Sequence, residues 1–338
     1  MLNRFASILL SGVLSGVGAT ALAQTPPVAQ APAVSTTMAP VTVQAVAKPK
    51  VVEKQTQTFV QSYAAASNPE LGQIGRWREA VCVQVEGLPQ ADQAAVIKAR
   101  IESVAQAVGL PAARGGCRAN VEIVFTDQPQ ATMDVVAKRR QELLGYYHRE
   151  KTNQLKTVSH PIQAWYVTAT RGNGANTAGM AFAVFKDSTG TGMAGGALPG
   201  VTTQNEIVDD PRNDKPVGCA DAPHFTSCLK SVFHNVFIVA DSKALQGKDL
   251  GAVADDLVML ALSQPKSIDG CNVLPSVLDQ FAKSPCPGRD PPDGLTPTDA
   301  AFLTGLYKAD LEGKQAFEQD DIAGRMAQIL IKAGAAAH

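Results

Sequence analysis

The chain has 338 residues, and its 30 basic and 31 acidic side chains leave a formal charge of −1. The densest basic cluster, Lys138-Arg139-Arg140, falls on a predicted helix and reads as a solvated face. This balance excludes a nucleic-acid binder, which needs concentrated positive charge against phosphates.

At the N-terminus, Arg4 precedes an apolar run from Phe5 to about Leu22, and Ala21-Leu22-Ala23 supplies the small residues of an export-signal cleavage site. The run is short for a bilayer span and is interrupted by Gly12, Gly16 and Gly18. A signal peptide over residues 1–23 is therefore expected, cut before Gln24, with the mature protein periplasmic or extracellular. No later run is apolar enough to predict a transmembrane segment. Residues 24–57 are rich in Pro, Ala, Val and Thr and lack aromatic side chains. Such a stretch buries too little surface to offset its ordering entropy, so a disordered linker is expected there. Residues 58–334 read as a single globular domain.

The segment Ala80–Leu88 is predicted as a strand. The helix that follows places Ile97, Ile101, Val104 and Val108 on one face, with Gly109 as its stop. Ala119–Asp127 reads as a second strand, and a second helix runs from Ala131 to about Gly145. His160–Thr170 is a third strand, with Ile162, Ala164, Tyr166 and Thr168 to one side. Residues 179–185 could form a short fourth, inside a loose Gly-rich region that runs to about Pro223. His234–Ser242 is the last strand, and helices follow over Leu250–Gln264, Leu274–Ala282, Pro297–Asp310 and Glu318–Lys332. Thr296, Pro297 and Asp299 have the spacing of a capping box with Pro at the first helical position. Ile322, Met326, Ile329 and Leu330 form an apolar stripe on the last helix. The expected fold is α+β: an N-terminal strand-helix-strand-helix sheet layer followed by a mostly helical C-terminal half.

Six cysteines in an exported chain point to disulfides. Proximity and element order favour Cys82–Cys117, Cys219–Cys228 and Cys271–Cys286 among about 15 possible pairings. No C-x-x-C pair suggests metal ligation instead.

The segments IGRWREAVCVQV, NVEIVFT and HNVFIVAD, followed by LPSVLDQFA and LTPTDAAFLTGLYKADL, resemble secreted zincin-like proteins of proteobacteria that form a family of unknown function. The resemblance spans most of Gly72–Leu311 and implies a zincin-like fold. It also implies a helix carrying a His-Glu start, with a second histidine one turn on. In this chain the corresponding helix is GAVADDLVMLALSQ. Ala254 and Asp255 stand at the His-Glu positions, Val258 at the second histidine and Ala261 at a glycine. Alanine and valine cannot ligate zinc, and without the ion no water is acidified for hydrolysis. This reads as a degenerate member without a metal site. Val253, Leu257, Leu260 and Ala261 make one core face of this helix, and Val258, Met259 and Leu262 widen it almost all round, so a structural helix at the centre of the domain is expected. The sharper alternative is a retained cleft, with Asp255 and Asp256 in the first turn as its candidate residues.

Other constellations carry less. GTGMAG at Gly190–Gly195 matches a dinucleotide fingerprint, but a Pro- and Gly-rich loop follows it where a helix is required. His148, His160, His224, His234 and His338 are nowhere one turn apart, and no G-x-S-x-G elbow is present. No cofactor and no catalytic residue is expected. The leading expectation is a non-catalytic envelope or secreted binding or scaffold protein, with an unknown protein or cell-envelope component as partner. The alternatives are a hydrolase with an unrecognised active site and a small-ligand carrier with Gly172–Gly200 as a cover.

Overall fold

The computed structural model describes residues 48–67, 72–145, 148–172, 229–309 and 315–336, all within one unit, Val43–His338. The expected strand at 179–185, the 190–195 glycine motif, the cover at 173–200, the Cys219–Cys228 pair and the signal segment lie outside the described residues.

Among the described residues the chain runs α1 (Pro49–Tyr63), β1 (Val83–Glu86), α2 (Ala91–Ala107), β2 (Val121–Thr126), α3 (Pro129–Arg139), α4 (His148–Leu155), β3 (Ile162–Gly172), β4 (Leu229–Asp241), α5 (Leu250–Leu262), α6 (Pro297–Lys308) and α7 (Gln315–Ala336). Short 3-10 turns occupy Gln141–Leu144 and Val277–Phe281. The α+β class and the helical C-terminal half are thus as read from the sequence.

The four strands form one mixed sheet in the order β1-β2-β4-β3, with β1, β2 and β4 parallel and β3 antiparallel to β4. β3 and β4 alternate between two buried faces, as the period-2 geometry allows, whereas β1 buries Val83 and exposes Gln84 and Glu86. Val121, Ile123, Val236, Ile238 and Ile162 face the main core with α2 and α5. Phe237, Val239 and Trp165 face a smaller core closed by Met133, Val136, Leu143 and Leu144. A register shift between Val167 and Thr168 ends the regular alternation before Thr168, and Ala169 is the next buried residue.

Several predicted boundaries move. The linker expected to reach Gln57 ends earlier, because Pro49–Gln57 belong to α1. Its Thr56, Phe59, Val60 and Tyr63 are buried against α7 and α6, and the Phe59, Tyr63 and Phe302 rings pack at centroid distances of 4.7–5.8 Å. The packed domain therefore begins before residue 58. The single helix predicted from Ala131 breaks at Arg140, and the 3-10 turn after it ends on Gly145, whose φ of 87° is easy only for glycine. The helix expected at Leu274–Ala282 is only the 3-10 turn. At Gly305 the α6–α7 crossing is so close that a Cβ would lie 2.9 Å from the Ile322 carbonyl oxygen.

Helix α5 sits at the centre, with every residue from Val253 to Leu262 buried. Burying a helix end strands its last carbonyl groups unless donors reach them. Here three aromatic side chains do so. Tyr166 OH donates to Leu260 O at 2.9 Å, Trp77 Nε1 to Ala261 O at 2.7 Å, and Tyr307 OH to Leu262 O at 2.8 Å. Ser263 closes Met259 O through both its amide and its hydroxyl. Arg76, the neighbour of Trp77, donates Nη1 to Leu306 O and Ala309 O at the end of α6, both at 2.8 Å. Adjacent Arg76 and Trp77 therefore close two helix ends at once.

Tyr307→Phe removes one of these donors and little volume, leaving Leu262 O without its partner. We expect a loss of about 1–2 kcal/mol in urea unfolding. An unchanged midpoint would show that water replaces the phenol.

Candidate functional site

Of the two expectations for the start of α5, a buried structural helix or a cleft with Asp255 and Asp256 at its mouth, the structure shows the buried helix and turns both aspartates inward. Asp255 is 8% exposed and accepts from Arg100 Nε at 2.5 Å and from the Leu295 amide at 2.9 Å. The loop before α6 passes so close that a Cβ on Gly294 would lie 2.9 Å from Asp255 Oδ2. Asp256 is 1% exposed, and Gln280 Nε2 donates to its two oxygens at 2.5 and 2.6 Å. Burial pushes the Asp256 carboxyl up to about 8. The Gln280 bond offsets this only in part, and the neighbouring Asp255 charge adds to it.

Two further aspartates extend the cluster. Asp279 is fully buried and accepts from Asn272 N and Nδ2 (both 3.0 Å), from Ser276 N (3.1 Å) and from Arg289 Nη2 (2.7 Å). Asp299 accepts from Ser276 Oγ at 2.7 Å, Val277 N at 2.9 Å and Thr296 N at 3.0 Å. Burial raises its pKa, against these bonds. The Thr296–Asp299 capping box is present as predicted, and a second box, Ser276–Asp279, precedes it. The two interlock, since Ser276 and Val277 donate across to Asp299. The spacing Ser276-x-x-Asp279 was available in the sequence. The bonds between the boxes were not, because they join residues 22 and 23 positions apart.

The positions compared with zinc ligands, Ala254 and Val258, are fully buried among aliphatic side chains. Among the described residues no three of His, Cys, Asp and Glu gather as a ligand set. His160 lies elsewhere, at the start of β3. Its Nε2 is 2.6 Å from Asp269 Oδ1, and its Nδ1 is 2.9 Å from Ser159 Oγ. Lys283 Nζ also reaches Asp269, at 3.1 Å, and together the Lys283 and His160 bonds lower the Asp269 pKa.

Two of the expected disulfides are present, Cys82–Cys117 and Cys271–Cys286. The second pins the segment that carries Asp279. Beside it lies an open groove of about 690 Å³, lined from Asp279 to Pro291. No described helix is long and apolar enough to cross a membrane. Comparison of the chain with protein-family models, with curated proteins and with solved structures finds no match. The site is therefore read from its own chemistry.

Because the folded Asp256 holds its proton up to about pH 8 and the unfolded one only to about 4, its contribution to stability is full below pH 4. It is lost as pH rises towards 8, at up to ~1.4 kcal/mol per pH unit. Glu318, 1% exposed and bonded to the Ile74 amide, is pushed by burial to about 7 and adds the same sign up to that pH. We expect the Asp256→Asn variant to lose most of the fall in stability between pH 7 and 8 that wild type shows. Glu318→Gln should keep it. Urea unfolding across pH 5–9 measures both, and equal slopes in wild type and Asp256→Asn would contradict the assignment.

Proposed function

We propose that the chain is an exported, non-catalytic binding or scaffold protein on a degenerate zincin-like framework. One observation carries the reading: the helix compared with a zinc-protease helix spends its polar groups internally. Ala254 and Val258 are sealed in the core, Asp255 is bonded to Arg100 and Leu295, and Asp256 is bonded to Gln280. Asp255 has both oxygens occupied by donors and Asp256 is 1% exposed, so neither carboxyl group is aimed at a substrate. Export is supported by the two disulfides, which persist in oxidising compartments, and by the signal-like start of the sequence. The zincin-like framework rests on the resemblance of the segments around β1, β2, β4, α5 and α6. The partner in this reading is a protein or cell-envelope component.

Metal analysis and affinity capture test the proposal together. Purified protein should carry less than about 0.1 zinc per chain, and capture from an envelope extract should return a specific partner. Stoichiometric zinc accompanied by peptide hydrolysis that chelators abolish would overturn the reading.

A second reading, a hydrolase, has one observation in its favour. Asp269 bonds Nε2 of His160, which leaves Nδ1 to accept from Ser159 Oγ, a Ser–His–Asp relay with the two ring nitrogens exchanged. Ser159 is exposed, and Lys283 competes for Asp269. A fluorophosphonate probe should leave Ser159 unlabelled if the chain is non-catalytic. Labelling of wild type that is lost in Ser159→Ala would favour the hydrolase.

A further inference from the structure

β1 stands at one edge of the sheet, with β2 on its inner side. Cys82, just before it, turns both of its main-chain groups to β2. Its amide donates to Asn120 Oδ1 at 2.7 Å, and its carbonyl accepts from Asn120 N and Val121 N at 3.0 and 3.2 Å. Successive residues of a strand send these groups to opposite sides, so Gln84 and Glu86 bond to β2 while Val83 and Val85 aim outward. Among the described residues nothing pairs with the outward N–H and C=O groups of Val83 and Val85. An open edge of this kind recognises an extended chain through main-chain hydrogen bonds.

The edge carries opposite charge at its two ends. At its start a groove of about 390 Å³ lies between Val83, Gln84, α2 and the turn Arg114–Cys117, which the Cys82–Cys117 disulfide pins to the strand. Lys98 and Glu102 in its lining offset each other at 3.8 Å, and the exposed Arg114 guanidinium has no partner among the described residues, so this end is positive. Gly115 and Gly116 leave room for a passing chain, since a Cβ on either would meet nothing within 4 Å. At the other end Glu86 is exposed and accepts from the neutral Gln84 at 2.7 Å, with no cation beside it among the described residues, so this end is negative.

Such an edge is complementary to itself turned round. Laid parallel and in register, two copies would set Glu86 beside Glu86, a destabilising like-charge pair. Laid antiparallel about a twofold axis at Gln84, they set Val83 of each copy opposite Val85 of the other, and each of these pairs exchanges two main-chain hydrogen bonds. The residue that meets itself on the axis, Gln84, is uncharged. Glu86 then lies opposite Cys82 of the other copy, beside the groove that holds Arg114.

We propose that β1 pairs antiparallel with β1 of a second copy of this chain, joining two four-stranded sheets into one, with Glu86 of each copy against Arg114 of the other. This dimer goes beyond the binding reading above and does not depend on it.

Sedimentation velocity on the purified protein at about 1–100 μM tests it. Wild type should pass from monomer to dimer over this range, and hydrogen exchange of the Val83 and Val85 amides should slow as it does. Glu86→Lys and Arg114→Glu, both at exposed positions, should each weaken dimerisation by about tenfold or more and leave Tm unchanged. Mixed in equal amounts, the two variants should associate as wild type does, because each end again meets its opposite. Asp290→Lys makes the same charge change as Glu86→Lys at an exposed residue of the other groove. It should not weaken dimerisation, and mixing it with Arg114→Glu should not restore wild-type association. Val85→Pro removes an outward N–H that the β2 ladder does not use, and should also lower the dimer fraction. A wild type that stays monomeric throughout the range overturns the proposal. So does a dimer left unweakened by either charge variant or by Val85→Pro, equal weakening by Asp290→Lys, or a mixture that associates no better than its components. Slowed exchange of Val83 and Val85 in an envelope extract, in a chain that stays monomeric when purified, would assign the edge to a different protein and overturn the second copy.

Discussion

The centre of this protein depends on how one buried helix end is satisfied. Helix α5 is apolar enough to sit in the core, but its last carbonyls cannot be left bare there. Tyr166 from β3, Trp77 from the segment before β1 and Tyr307 from α6 each bring one donor to one of three successive carbonyls. Each donor comes from a different part of the chain. The sheet, the N-terminal segment and the C-terminal helices are therefore tied to one point, and the directional bonds fix how they meet as apolar packing alone would not. Burial of Tyr166 and Tyr307 also holds their phenols protonated, so they stay donors at any ordinary pH.

The opposite end of α5 is secured differently. There the chain uses carboxylates: Asp249 caps the first turn, Asp255 grips α2 and the loop before α6, and Asp256 grips the 3-10 turn. Asp279 and Asp299 continue the pattern through paired capping boxes. The region from 263 to 296 has little regular secondary structure, and these bonds supply what a ladder of main-chain hydrogen bonds would otherwise provide. A cluster of acids at a helix start suggests chemistry when only the sequence is seen. Once the partners are visible, the same acids act as fasteners, and the surface they support is the groove beside the disulfide.

Much of this was legible in the sequence and some was not. Period-2 and period-3.6 patterns located the four strands and α2, α5, α6 and α7, because those elements each bury one or more continuous faces. The Thr296 box was visible because both of its members lie within four residues. α1 was missed because Pro49–Gln57 is polar and Pro-flanked, and the composition of the linker extends into it. The signal lay in Thr56, Phe59, Val60 and Tyr63, whose spacing marks one helical face. That α5 is buried almost all round was readable from its apolar residues, but the partners of Asp255 and Asp256 were not, since Arg100, Gln280 and Leu295 lie 24 to 155 residues away. The three aromatic caps share that difficulty. A tyrosine in an alternating strand looks like packing until the carbonyl beneath it is seen.

The pairing of α1 with α7 has a consequence for how the protein is made. These helices are each other's neighbours, although some 250 residues separate Tyr63 from Gln315 in the chain. Emerging residue by residue, α1 meets no partner for its aromatic face until nearly the whole polypeptide has followed it. Neither described disulfide holds it in the meantime, since both close short local loops. The domain is thus completed late, and until then the rings of Phe59 and Tyr63 are open to any chaperone that accompanies the chain along its route.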